Sequence, residues 1–173
     1  PDLQITWLQN LSKLLISRLF RLTGLLAIAV AFFMIATAAV FAETPILNAP
    51  EAAEKVASGQ IVLLDIRSPE EWQETGIAEG AWPVSLHTQD FPKHLQAILS
   101  QVQPEQIALI CATGGRSAYI AEVLEKNGVV GVADVSEGMF GNGQSPGWVA
   151  RGLPVISIDE AASRYEAIRL SWE

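Results

Sequence analysis

The sequence predicts an α/β fold in which helices cover both faces of a parallel sheet. Two short, continuous apolar runs, residues 61–65 and 107–110, are typical of strands buried on both sides. Helical patterns with clear start signals separate such runs, and this alternation favours parallel pairing. The segment Cys-Ala-Thr-Gly-Gly-Arg-Ser directly follows the second run. Because ligands bind beyond the carboxyl ends of parallel strands, this segment is the candidate functional site.

Four elements are predicted in the first half of the domain. An asparagine cap, a proline in the first turn and a glutamate at the third helical position predict a helix over residues 48–58. Residues 61–65 follow as the first buried strand. A second capping box begins a short helix over residues 68–72, and residues 82–86 form a weaker strand candidate.

The second half contains five more predicted elements. A helix over residues 91–102 ends before a proline, and residues 107–110 form the second buried strand. An amphipathic helix covers residues 117–127 and is followed by a glycine, the usual residue after a helix. Residues 132–135 form another short strand. A serine cap begins a last helix over residues 157–172, whose apolar residues recur at intervals of four, three and four.

Composition indicates a globular protein and excludes several functional classes. Half of the 173 residues are apolar and 17% are charged, and the length favours one domain. Asp and Glu number 19 against 11 Lys and Arg, a net charge of −8, whereas a nucleic-acid-binding protein that neutralises phosphates needs an excess of basic residues. The single cysteine excludes an internal disulfide and any multi-cysteine zinc site.

Residues 1–42 are predicted to form a unit separate from the domain of residues 43–173. The apolar segment begins at Leu22, ends at Ala42 and contains no charge. Three basic residues precede it: Lys13, Arg18 and Arg21. Its small-residue end fits a signal peptide cleaved near Ala42, which would release a periplasmic or otherwise exported domain. An uncleaved helix of this length would instead anchor the domain in a membrane, again outside the cytoplasm.

The residues around Cys111 suit a reactive thiol. Cys111 ends a buried strand, and a helix begins near Ser117. Gly114 and Gly115 allow the loop between Cys111 and Ser117 to curl, so that successive N–H groups point inward and form an anion-binding nest. The helix dipole and the charge of Arg116 add to this positive field, which favours the nucleophilic thiolate. A buried, inert cysteine would not need such a loop.

The sequence resembles the rhodanese-like single-domain sulfurtransferases from residue 48 to residue 155. The motifs that carry the resemblance are Asp65-x-Arg67, Glu71-Trp72, Gly76-Ile77, Gly80-Ala81, the Cys111 loop, Trp148 and Gly152-Leu-Pro-Val155. The resemblance implies a three-layer domain with a central parallel sheet of five strands and helices on both faces. It also implies that Cys111 carries sulfur as a persulfide. The donor would be thiosulfate or a persulfide, the acceptor cyanide or a thiol, and neither half-reaction needs a cofactor.

The resemblance also assigns roles within the loop. N–H groups of five residues would hold the transferred sulfur: Ala112, Thr113, Gly114, Gly115 and Arg116. The Arg116 side chain would contact an oxyanion. Arg116 stands five positions after Cys111, whereas the related phosphatase-type loop places its arginine at the sixth position, so the loop fits a sulfur atom.

Two departures from the family pattern bear on the substrate. Thr75 stands where many members have a histidine, and Ala112 stands where several thiosulfate-using members have a basic residue. The loop therefore has one cationic side chain, and we expect this to weaken the use of thiosulfate more than the carriage of sulfur.

Two other functions remain open from the sequence. The domain could be a non-catalytic rhodanese-like module that binds a partner protein, or a redox sensor that forms a sulfenic acid at Cys111. Cys111→Ser would abolish turnover in an enzyme but leave partner binding intact.

Other polar residues are expected to have structural roles. Arg67 is expected to pair with Glu70 or Glu71. His87 and His94 are expected on the surface, since no acidic pair or second cysteine accompanies them and a metal site is therefore not predicted.

The glycine-rich residues 138–148 allow two interpretations. They either line a pocket through Met139 and Phe140 or form an ordinary surface loop.

Overall fold

The computed structural model describes residues 44–172. Within that range no helix combines the length and the apolar character that a membrane span requires. The predicted signal or anchor segment, residues 22–42, and the predicted boundary that follows it lie outside the described residues.

Five parallel strands form the central sheet, in the order β1-β6-β5-β2-β4. The strands in chain order are β1 Ile46–Leu47, β2 Val62–Asp65, β3 Ile77–Ala78, β4 Trp82–Pro83, β5 Ile107–Ile110, β6 Ala133–Val135 and β7 Val155–Ile156. The remaining two, β3 and β7, form a small antiparallel pair. Both neighbours of the central strand β5 are parallel to it, so the predicted five-stranded parallel sheet is confirmed.

Helices cover both faces of the sheet. In chain order they are α1 Ala49–Ala57, α2 Pro69–Thr75, α3 Phe91–Leu99, α4 Gly115–Lys126, α5 Gly147–Ala150 and α6 Ile158–Leu170, with a 3₁₀ turn at Pro104–Gln106. One apolar cluster joins Leu63 and Ile110 to residues of α1, α2 and α5. The other joins Leu64 and Leu109 to residues of α3 and α4. Because neighbouring residues of a strand point to opposite faces, these two clusters are the two cores of a three-layer domain.

Local start signals place three of the helices. Asn48 Oδ1 accepts a hydrogen bond from Glu51 N at 2.9 Å, and the glutamate carboxylate accepts one from Asn48 N at 3.1 Å. Both capping boxes predicted from the sequence are present, since Ser68 and Glu71 make the same exchange at 3.3 and 2.9 Å. Ser157 caps α6.

Several element boundaries differ from the predictions. Helix α2 extends to Thr75 rather than ending at Trp72. Helix α4 begins at Gly115 rather than Ser117, because Gly114 adopts a left-handed conformation that allows the chain to turn early. Helix α3 ends at Leu99. Strand β4 is assigned only to residues 82–83, although Val84 N and Leu86 N continue to donate to the backbone of residues 65 and 66.

Candidate active site

Cys111 lies directly after β5, at the carboxyl edge of the sheet, as predicted. Its side chain is 1% exposed and packs into the core beneath α4. Ser117 Oγ lies 3.4 Å from Cys111 Sγ and donates a hydrogen bond to the Gly114 carbonyl at 3.0 Å. A hydroxyl has one proton, so in this state the thiol donates to Ser117. When the thiol is ionised, the hydroxyl can rotate and donate to the sulfur instead.

The Cys111 loop leads into the N-terminus of α4. The first backbone hydrogen bond of the helix runs from Ala118 N to Gly114 O at 3.0 Å. The N–H groups of residues 115–117 therefore precede the helical ladder, at the positive end of the helix dipole. Gly114 has φ +87°, and a Cβ there would lie 2.0 Å from the Ser136 carbonyl oxygen. A Cβ at Gly115 meets nothing, so only Gly114 is required to be glycine.

A second loop supports the first through its backbone. Met139 N donates to Cys111 O and Phe140 N donates to Ala112 O, both at 2.8 Å. Gly138 makes this approach possible, since a Cβ there would lie 2.6 Å from the Ala112 carbonyl group. Met139 is fully buried in the core, so of the two interpretations of residues 138–148 this side chain does not support the pocket wall. Phe140 is 43% exposed beside the Cys111 loop.

The Arg116 side chain is held by a carboxylate from another element. Arg116 Nη2 and Nη1 donate to the two oxygens of Glu71 at 2.6 and 2.8 Å. These bonds lower the pKa of Glu71 to about 2. They also raise the pKa of Arg116, with a smaller contribution from Cys111. His87 Nε2 lies 2.8 Å from Arg116 Nη1, and because a guanidinium can only donate, this nitrogen accepts.

Arg67 pairs with Asp65, so the predicted pairing with Glu70 or Glu71 is wrong. Both side chains are fully buried, and Arg67 Nη2 lies 2.7 Å from Asp65 Oδ2. The guanidinium also donates to Gly76 O at 2.7 Å and to Thr75 Oγ1 at 2.8 Å. Asp65 ends β2, so its carboxylate meets an arginine two residues later within the core, whereas Glu71 faces Arg116.

Asp134 is a buried carboxyl group on the same face of the sheet as Cys111. It lies in β6 and is the register partner of Leu109 in β5. The residue is 4% exposed, and its Oδ1 has no hydrogen-bond partner among the described residues. Burial raises the pKa of Asp134, and the neighbouring Ser117 hydroxyl opposes this to a smaller extent. No sequence pattern distinguishes this group, because residues 132–135 resemble any short buried strand.

His87 and His94 lie in different surroundings. His87 is exposed and contacts Arg116, which no local pattern indicates. His94 lines a groove of about 480 Å³ together with Trp72 and Tyr165, and no residue of the Cys111 loop lines that groove. In the part of the chain described here, no three His, Cys, Asp or Glu side chains are grouped closely enough to hold a metal ion.

Comparisons with known proteins agree with the architecture. A family model for the rhodanese-like domain matches residues 48–142, more than half of the chain. Uncharacterized proteins of Rickettsia rickettsii and Rickettsia conorii are each 27% identical over 108 residues, which cover 57% of this chain and 85% of each relative.

Two solved structures are similar in fold. A polysulfide-sulfur transferase homodimer from Wolinella succinogenes has a TM-score of 0.51 at 23% identity, covering 73% of this chain and 88% of that chain. A rhodanese-like domain protein from Staphylococcus aureus has a TM-score of 0.48 at 24% identity, covering 66% and 100%.

Proposed function

The chain belongs to the rhodanese-like domain family, and from this premise we propose that it is a sulfurtransferase that carries sulfur as a Cys111 persulfide. The observation that carries the proposal is the position of Cys111, at the carboxyl end of the central strand β5 and ahead of the N-terminus of α4. The helix N-terminus favours a negative charge on the sulfur, both before and after transfer.

The proposed cycle has two nucleophilic steps. The Cys111 thiolate attacks the sulfane sulfur of a donor such as thiosulfate. A new S–S bond forms, the S–S bond of the donor breaks, and sulfite leaves with the electron pair, so that charge balances across the step. Cyanide or a thiolate then attacks the outer sulfur of the persulfide and releases the Cys111 thiolate.

Ser117 and the loop amides would assist this cycle. The Ser117 hydroxyl is 3.4 Å from Cys111 Sγ and can donate to the thiolate between turnovers. The N–H groups of residues 115–117 would stabilise the charge on the outer persulfide sulfur. Because Ala112, Thr113, Gly114, Gly115 and Arg116 form the loop around this space, we retain them as the proposed substrate-binding residues.

Intact mass spectrometry tests the proposal. The purified protein is incubated with thiosulfate, desalted and measured without reductant. A gain of one sulfur, about 32 Da, that cyanide removes as thiocyanate is the expected result. Cys111→Ser should gain nothing. If no sulfane donor adds sulfur to Cys111, the sulfurtransferase proposal fails and a protein-binding module becomes the better interpretation.

We propose in addition that the domain is exported. The support is the uncharged segment from Leu22 to Ala42, the basic residues that precede it and its small-residue end. Expression of the full chain in a bacterium, followed by cell fractionation and N-terminal sequencing, tests this. A periplasmic product that begins near residue 43 supports cleavage, and a membrane-bound product supports the anchor. An intact product in the cytoplasm contradicts export.

A further inference from the structure

Three arginines near the Cys111 loop are already bound by carboxylates. Each makes at least two N–H···O contacts to one acid, with shortest distances of 2.7, 2.6 and 2.7 Å. The pairs are Arg67 with Asp65, Arg116 with Glu71, and Arg151 with Glu137. Arg116 belongs to the loop itself, Arg67 lies 5.6 Å from the Phe140 ring, and Glu137 also accepts from Gly147 N at the end of the second loop. The loop supplies no other cation, since its remaining residues are Ala, Thr and Gly.

On the basis of the proposed function, we infer that Glu71 determines donor specificity. By compensating the charge of Arg116, it makes Cys111 prefer sulfane donors with one negative charge over the dianion thiosulfate. The preferred donor then has the form R–SO₂–S⁻ or R–S–S⁻, in which R is uncharged.

The preference depends on the charge of the donor and on the charge that the site offers to it. With Arg116 compensated, the remaining attraction comes from loop amides and a helix end, which are equivalent to about half an elementary charge. The attacking Cys111 thiolate is itself negative, and residues 43–173 carry a net charge of −10. A donor with two negative charges is therefore repelled more strongly than a donor with one.

The charge of Arg116 also stays compensated at neutral pH. The Glu71 carboxylate accepts a third hydrogen bond, from Ser68 N at 2.9 Å, which fixes it in the capping box of α2. With its pKa lowered to about 2, it stays ionised at neutral pH. Next to this loop, the exposed ring of Phe140 offers an apolar surface to an uncharged substituent on the donor.

Two donors that differ by one charge test the inference. Thiosulfate and methanethiosulfonate both present a sulfane sulfur bonded to a sulfonyl sulfur, but a methyl group replaces one O⁻ in the second. Sulfite leaves from the first and methanesulfinate from the second. The measured quantity is the ratio of kcat/KM for methanethiosulfonate to that for thiosulfate, with the full chain and cyanide as acceptor.

Glu71→Gln should shift this ratio about tenfold toward thiosulfate, because it exposes the charge of Arg116 to the donor. Glutamine keeps an oxygen that can accept from Ser68 N, so the capping box can be retained. A loss of folding alone would lower both kcat/KM values and leave their ratio unchanged.

Two further variants complete the design. Glu70→Gln removes the same charge one residue away, at a side chain that neighbours Ser68 and His87 rather than Arg116, and should change the ratio by less than about twofold. Ala112→Lys adds a cation to the loop while Glu71 stays in place, and should shift the ratio in the same direction as Glu71→Gln.

The possible outcomes separate the inference from the proposed function. An unchanged ratio in Glu71→Gln overturns the inference, as does an equal shift in Glu70→Gln or a preference of the wild-type protein for thiosulfate. Transfer from neither donor to the wild-type protein overturns the proposed function and the inference with it.

Discussion

Replacing Arg67 by methionine should destabilise the domain by about 3–5 kcal/mol, because it leaves a buried carboxylate without its partner. Arg67 and Asp65 are both 0% exposed. The substitution removes three side-chain hydrogen bonds to Asp65, which retains only the backbone bond from residue 67 at 3.1 Å. It also removes the donors to Gly76 O and Thr75 Oγ1. Methionine is flexible and apolar and fills most of the vacated length, so the loss is mainly electrostatic.

Urea unfolding followed by tryptophan fluorescence measures this loss. Four tryptophans lie in the described residues: Trp72, Trp82, Trp148 and Trp172. The midpoint should fall while the m-value stays constant, and the melting temperature should fall by about 10–20 °C. The double variant Asp65→Asn/Arg67→Met also replaces the unpaired Asp65 carboxylate by a neutral amide, and it should recover part of the free energy of unfolding.

Arg164→Met is the matched control. Arg164 pairs with Glu160 one turn away on α6, but both side chains are about half exposed, so the expected loss is below about 0.5 kcal/mol. If Arg67→Met costs less than about 1 kcal/mol with an unchanged m-value, the assignment of Arg67 and Asp65 as a buried, mutually dependent pair is wrong.

Three other substitutions, the first with a matched control, have expected effects on stability. Gly114→Ala should lower the melting temperature strongly, because the new Cβ would lie 2.0 Å from Ser136 O. Gly115→Ala should leave the melting temperature unchanged, because a Cβ there meets no other atom. Thermal melts of the two variants compare these effects directly. Tyr165→Phe should raise the free energy of unfolding in urea by about 1 kcal/mol, since it removes a buried hydroxyl that has no hydrogen-bond partner; a decrease would show that the hydroxyl is satisfied. Asp134→Asn should raise the melting temperature at pH 7 and have less effect near pH 4. Burial raises the pKa of Asp134 above its ordinary 3.8, so the wild-type protein loses free energy of unfolding as the pH rises above that value. A gain that is independent of pH would contradict this cause.

Elements with local signals were predictable, and elements that depend on distant partners were not. The capping boxes at Asn48 and Ser68 need only residues three positions apart, and both are present. Strand β1 has two residues, too few for any periodic pattern, and it exists because it pairs with β6 almost ninety residues later. The small pair formed by β3 and β7 has the same origin.

The same distinction applies within the candidate site. The position of Cys111 follows from one apolar run and the loop behind it, so the sequence was sufficient to predict it. Arg67 was expected to pair along the helix, but burial decides its partner instead: a buried guanidinium needs a carboxylate that is buried with it, and Asp65 is that carboxylate. Glu71 and His87 reach Arg116 from 45 and 29 residues away. Such pairs depend on how the layers pack.

The charge at the site therefore cannot be obtained by counting residues in the loop. A count gives one cation, Arg116, whereas the structure adds the carboxylate of Glu71 at 2.6 Å and reduces the sum to zero. The pKa of Glu71, lowered to about 2 by its hydrogen bonds with Arg116, means that this compensation is lost only as the pH falls toward 2. Arg116 stays protonated over the whole working range, and its pKa is raised further. Within that range, a change of residue at position 71 exposes the arginine charge to a substrate, and a change of pH does not.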